Sequence, residues 1–114
     1  MVQGCFFMLT ACKAEKYLTE IEIFSLLVGA MCHDVGHDGF NNVYHQKAFT
    51  ERARAHNDQS IQENFHCALL FEAVTEFEDI NIFEGLTKEQ FAEVTDTLAP
   101  ESFSLQTSWN HAPD

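Results

Sequence analysis

Positive charge is scarce in this chain: six Lys and Arg stand against 18 Asp and Glu, a net charge of −12 over 114 residues. Proteins that grip a phosphate backbone do so with clustered Lys and Arg, so nucleic acid is not an expected partner. Long apolar runs are missing as well. The longest, Phe24 to Cys32, falls far short of the ~20 residues that span a bilayer, so no membrane segment is expected in this chain. Met1 to Phe7 has neither the basic flank nor the long apolar core of a secretion signal, which makes the cytoplasm the expected compartment. The four cysteines, at 5, 12, 32 and 67, form no C-x-x-C, which argues against a disulfide framework or zinc knuckle and for reduced thiols in a core. With only two Pro and five Gly there is no linker, no repeat and no low-complexity tract, and the length allows a single small unit.

What is present is helical periodicity, with almost no strand signal. Ile21, Phe24, Leu27, Val28 and Met31 recur at helical spacing, and Thr19 with Glu22 forms a capping box that starts the segment. Gly36 and Gly39 favour a turn just afterwards, which predicts a helix end at His33-Asp34. A second helix is predicted from about Ser60 to Phe77, with Ile61, Phe65, Ala68, Leu69 and Ala73 inward and Glu63, His66 and Leu70 on a neighbouring stripe. Ser60 and Glu63 read as its capping box. Thr87 and Gln90 open a third, with Phe91, Val94 and Leu98 as its apolar face, before Pro100 interrupts it. Residues 72–114 hold ten acids and one base, Lys88, the pattern of a solvated face or loose tail.

The densest polar segment runs from His33 to Asn42. An imidazole and a carboxylate side by side at a helix end can converge on a divalent metal, because the turn brings neighbouring side chains together; they can equally just cap the helix C-terminus. His37, three or four residues further on, could be a ligand, a donor to metal-bound water or an orienting residue.

His33-Asp34-x-x-His37 with Gly39 and Asn42 resembles the H-D-x-x-H-x-G-x-x-N signature of the class I 3′,5′-cyclic nucleotide phosphodiesterases, which belong to the HD metal-phosphohydrolase superfamily. The likeness extends along the chain. Ala55 to His66 is similar to the family block A-x-Y-N-D-x-S-x-L-E-N-H-H, Asn81 to Thr87 to n-I-F-x-n-L-s, and Thr19 to Ile23 to an acidic-aliphatic helix entry. In order and spacing it spans about residues 2–98, leaving 99–114 as a divergent acidic tail.

The resemblance implies an all-α fold, here a partial helical catalytic domain of the HD type. It implies metal-dependent hydrolysis of cyclic AMP or cyclic GMP to the 5′-monophosphate in cyclic nucleotide signalling, with Zn2+ at a tight site and Mg2+ at a second. His33 and Asp34 match metal ligands, and Asp34 also matches the bridge to the second metal. His37 matches the histidine beside that metal and its water shell. Glu63 matches the acid that reaches toward the water network and the catalytic histidine, Asn42 a residue that helps hold the loop, and His66 the second histidine of the family's pair.

Asp38 stands where the family usually has proline, Gly36 where it often has Asp, Phe65 at the first His of the pair and His56 at a common Tyr. The H-N-x-x-H motif, with the general-acid histidine and a metal ligand, is expected immediately before Val2-Gln3, which resembles the D-V-x-Q that follows it. The A-T-D-M ligand motif is expected where Thr107-Ser108-Trp109-Asn110 stands. The expectation is therefore a segment of a phosphodiesterase that is inactive in isolation; the alternative is a short inactive homologue acting as an interaction module. With Phe at 11 of 114 residues, helix faces shaped for missing neighbours also predict self-association.

Overall fold

Helix boundaries in the computed structural model follow local chemistry closely where a cap can form. The structure describes residues 1–99, and the acidic tail, Thr107 included, lies outside them. Six α-helices run in order: α1 Val2–Thr10, α2 Glu20–Cys32, α3 Asn42–Lys47, α4 Glu51–Ala55, α5 Ile61–Glu76 and α6 Lys88–Leu98, with 3-10 turns at Ala14–Tyr17 and Glu78–Ile80. No strand occurs among the described residues, so the fold is all-α as expected. The short helices α1, α3 and α4 carry too few periodic residues to be seen in the sequence.

Both capping boxes around Thr residues form. Thr19 Oγ1 accepts from the Glu22 N–H at 3.2 Å while Glu22 Oε2 accepts from the Thr19 N–H at 2.7 Å. The Thr87–Gln90 box has the same reciprocal pair, at 3.2 and 2.9 Å. Each satisfies donors that the first helical turn leaves without intrahelical partners. The third expected box does not form. Ser60 sits in the left-handed region, with φ 39° and ψ 54°, so its side chain makes no cap and Glu63 is free for a different contact.

Leu70, Val74, Phe83, Val94 and Leu98 form the buried core, and Ile21, Phe24, Val28, Cys32, Phe71 and Leu86 pack against it. Phe83 is its aromatic centre, with ring centroids 6.1 Å from Phe24, 5.6 Å from Phe71 and 5.8 Å from Phe91. Each such pair adds ~0.5–1.5 kcal/mol to the area it buries. The inward face of α5 is rotated from the expected one: Gln62, His66, Leu70 and Val74 are buried beside Ile61, while Ala68 and Ala73 are exposed. The cause is that α5 must face the polar loop after α2 at one end and the Phe83 cluster at the other. On α2, Met31 points outward and the small residues Ser25, Gly29 and Ala30 are buried, which lets α1 and α6 approach closely. The thiols are shallower than expected. Cys12 is exposed and Cys5, Cys32 and Cys67 are half-buried, all four free.

The helices lie in a slab 21 Å thick and 44 Å across, about two helix diameters deep. No helix among the described residues is long and apolar enough to cross a membrane.

Candidate metal and hydrolytic site

Helix α2 ends as the glycines dictate. His33 is its C-cap, the Val35 N–H returns to the Cys32 carbonyl at 3.0 Å, and Gly36 takes φ 71°. Any larger residue at 36 is doubly opposed, by the backbone angle and by space: a Cβ there would lie 2.6 Å from Leu69 Cδ2 and 3.0 Å from the Phe65 ring. The turn sets Gly36 against Phe65 and Leu69 of α5 and the His37 ring against His66.

His33 and Asp34 come together. A carbonyl oxygen can only accept, so the 3.0 Å contact between His33 Nδ1 and the Ala30 carbonyl places a proton on Nδ1. Nε2 then faces Asp34 Oδ2 at 3.0 Å. Two acceptors facing each other at that distance could hold one cation between them. The separation is also what two ligands at ~2.0–2.2 Å from one ion subtend at close to a right angle. The carbonyl that fixes the tautomer is the kind of outer contact that orients metal-bound histidines. The pair could thus supply two neighbouring positions of a metal site, at an angle nearer that of an octahedral than of a tetrahedral set, and among the described residues no group of three His, Cys, Asp or Glu completes one.

His37 is exposed and has the opposite tautomer. Its Nδ1 accepts the Gly39 N–H at 2.9 Å, which leaves Nε2–H as a donor. Its ring stacks on His66 at 5.6 Å between centroids, and His66 is buried with Nδ1–H donating to the Val35 carbonyl at 2.6 Å. Glu63 is held elsewhere than its capping-box pattern suggested: Asn42 Nδ2 donates to Glu63 Oε2 at 2.9 Å, and Asn42 Oδ1 accepts the Gln62 N–H at 2.9 Å. Asn42 therefore ties the end of the loop to the first turn of α5.

Beside these residues lies a polar network that the sequence did not reveal. Gln62, 5% exposed, donates from Nε2 to the Phe40 carbonyl at 2.7 Å and to Asp38 Oδ1 at 3.0 Å, and its Oε1 accepts from Arg52 at 3.0 Å. Thr50 accepts the Ala53 N–H and lies 2.9 Å from His45 Nδ1, and His45 Nε2 lies 3.3 Å from Asp38 Oδ1 and 3.2 Å from Gln62 Nε2. Burial pushes the Asp38 carboxyl upward, but the Phe40 N–H, Gln62, the Arg52 guanidinium and His45 outweigh it and hold it at about 2. A lone Gln beside Ile61 gives no periodic signal, and Asp38, Arg52 and Gln62 are brought together only by the fold.

Comparison with known proteins places these features in context. The family described as 3′5′-cyclic nucleotide phosphodiesterase matches residues 1–107. The chain is 42% identical over 94 residues to the 3′,5′-cyclic-nucleotide phosphodiesterase regA of Dictyostelium discoideum, covering 82% of this chain and 12% of that protein. It is 35% identical over 94 residues to the high affinity cGMP-specific 3′,5′-cyclic phosphodiesterase 9A of Homo sapiens, covering 82% and 16%. With the cone cGMP-specific 3′,5′-cyclic phosphodiesterase subunit alpha′ of Mus musculus it shares 38% over 92 residues, covering 81% and 10%. The chain thus spans well under a fifth of the length of these relatives.

Proposed function

Since the chain belongs to the 3′5′-cyclic nucleotide phosphodiesterase family, we propose that it forms part of a site that hydrolyses the cyclic phosphodiester of cyclic AMP or cyclic GMP to the 5′-monophosphate. The observation that carries this reading is the His33 Nε2 to Asp34 Oδ2 approach at 3.0 Å, with the ring's other nitrogen committed to Ala30. His33 and Asp34 would hold the tight metal, zinc in this proposal, with Asp34 shared toward a magnesium. Bound there, such ions polarise the phosphoryl oxygens and make water nucleophilic near neutral pH.

The chain's own side chains bind and orient. His37, its Nδ1 occupied by Gly39, presents Nε2–H as a donor to a phosphoryl oxygen or to water at the site. His66 supports that ring from behind by stacking, and its own hydrogen bond to Val35 fixes the stack to the loop. Glu63 orients polar groups at the site from α5, steadied by the Asn42 amide. In this reading the protein is cytoplasmic, and the apolar side of α1, where Phe6, Phe7 and Met8 are each about 60% exposed, supports self-association of the isolated chain.

The test is hydrolysis of cyclic AMP and cyclic GMP by a full-length catalytic domain carrying this segment, beside Asp34→Ala. Hydrolysis that Asp34→Ala abolishes supports the reading, and undiminished hydrolysis in that variant refutes it. The 114-residue chain alone is expected to be inactive, since two ligands do not close a zinc site.

A further inference from the structure

Residues of the loop after α2 and of the first turns of α5 meet around one side chain. The Arg52 guanidinium lies 3.4 Å from Asp38 Oδ2, 3.0 Å from Gln62 Oε1, 3.3 Å from the Gly36 carbonyl, and 3.6 Å above the Phe65 ring centroid. The contacts are mutual. The Phe65 ring occupies the space a side chain at 36 would need, and Gln62 Nε2 donates to Asp38 at 3.0 Å.

The network also grips the turn that carries His37. His37 Nδ1 accepts the Gly39 N–H at 2.9 Å and Asp38 Oδ1 accepts the Phe40 N–H at 3.2 Å, so two successive side chains fold the same turn. Gln62 holds both ends of it, through Asp38 and through the Phe40 carbonyl at 2.7 Å. One helical turn further along α5, His66 stacks on the His37 ring. The α5 face at positions 62, 65, 66 and 69 is therefore the bed on which the His37 turn rests.

We propose that Gly36, Asp38, Gln62 and Phe65 form one coupled unit around Arg52 whose work is to hold the His37 ring in its orientation. Asp38 and Gln62 are positioning residues that act through the turn, and their importance to hydrolysis rests on the reading of His37 given above. The coupling is expected because Asp38 and Gln62 share a hydrogen bond and both contact Arg52, so each single substitution removes a shared contact that the double removes only once. Gln62→Leu alone takes the Gln62 amide from the Phe40 carbonyl and one contact each from Asp38 and Arg52. Asp38→Ala alone takes one contact each from Gln62, His45 and Arg52.

The experiment is a double-mutant cycle on the 114-residue chain, with Asp38→Ala, Gln62→Leu and both together. It is read by urea midpoint and by 15N NMR of the His37 ring and the Gly39 amide under native conditions. The double variant is expected to unfold at a midpoint no lower than the weaker single. In Gln62→Leu the His37 Nδ1 resonance should move away from that of a hydrogen-bond acceptor, while Asp38→Asn, which keeps the acceptor oxygen, should leave it in place. Additive midpoint losses overturn the proposal, and so does failure of the double variant to fold alongside both singles. A destabilised Gln62→Leu with native His37 and Gly39 resonances overturns it too, because the role would then be structural only. None of these readouts depends on hydrolysis, so the proposal can fail while the functional reading stands, and the reverse.

Discussion

His33 turns one ring nitrogen to the Ala30 carbonyl and the other to Asp34 Oδ2, each at 3.0 Å, so a single side chain links the last turn of α2 to the carboxylate that follows it. In the proposed reading this pair would hold a cation, which is open to direct test. Zinc added to the 114-residue chain should bind weakly, and calorimetry should show that binding vanish in Asp34→Ala. Tight binding that survives the substitution would place the metal elsewhere. In a complete catalytic domain, His37→Ala should lower the rate on the order of 10²–10³-fold, the usual cost of removing one preorganised hydrogen-bond donor.

The core gives a plain stability expectation. Leu98 is 1% exposed and closes the α6 side of the cluster around Phe83. Leu98→Ala should cost ~2–5 kcal/mol, read by denaturant unfolding. A loss under ~1 kcal/mol would mean that α6 is not held as described.

Helix caps separate real from apparent signals. Thr19→Ala and Thr87→Ala each remove an observed cap and should cost ~0.5–2 kcal/mol. Ser60→Ala removes no cap hydrogen bond and should cost less, while Ser60→Gly should be neutral or stabilising because φ there is 39°. Thermal melts of the four variants give the order directly. If Ser60→Ala proved as costly as Thr87→Ala, the left-handed start of α5 would be wrong.

Asp38 fixes an acid limit for the His37 turn. Its folded-state carboxyl lies at about 2, below the ~3.9 of an unfolded chain, so the unfolded state binds its proton first as pH falls. The stabilisation is fully present above about pH 4 and is lost as pH drops through that window toward 2. A pH series of urea midpoints should show this loss in the wild type and a flatter curve in Asp38→Asn. Equal slopes would show that Asp38 is not held ionised by its partners.

Thiol chemistry should follow exposure. Cys12 is open to solvent, whereas burial pushes the Cys32 and Cys67 thiols up and Cys67 Sγ donates to the Leu98 carbonyl at 3.4 Å. At mildly alkaline pH a disulfide reagent should label Cys12 first and Cys32 and Cys67 slowly. Mass mapping of the labelled peptides reads the order, and rapid labelling at Cys67 would contradict its contact with α6.

Much of the helix framework was determined by short-range chemistry and could be read from the sequence. The Thr19 and Thr87 boxes, the end of α2 at His33 and the Val94–Leu98 face of α6 depend on residues within a turn or two of each other, so spacing alone specifies them. The adjacency of His33 and Asp34 at a helix end is of the same kind. Tertiary structure decided the rest. Ser60 and Glu63 have the spacing of a cap, yet the chain enters α5 through a left-handed residue because Gln62 and Glu63 are bound from outside by Asn42, some 20 residues away. The inward face of α5, the stack of His37 on His66 and the gathering of Asp38, His45, Gln62 and Phe65 about Arg52 all join separate elements. No local pattern encodes them, because a buried polar group takes whichever partner the packed helices bring within reach.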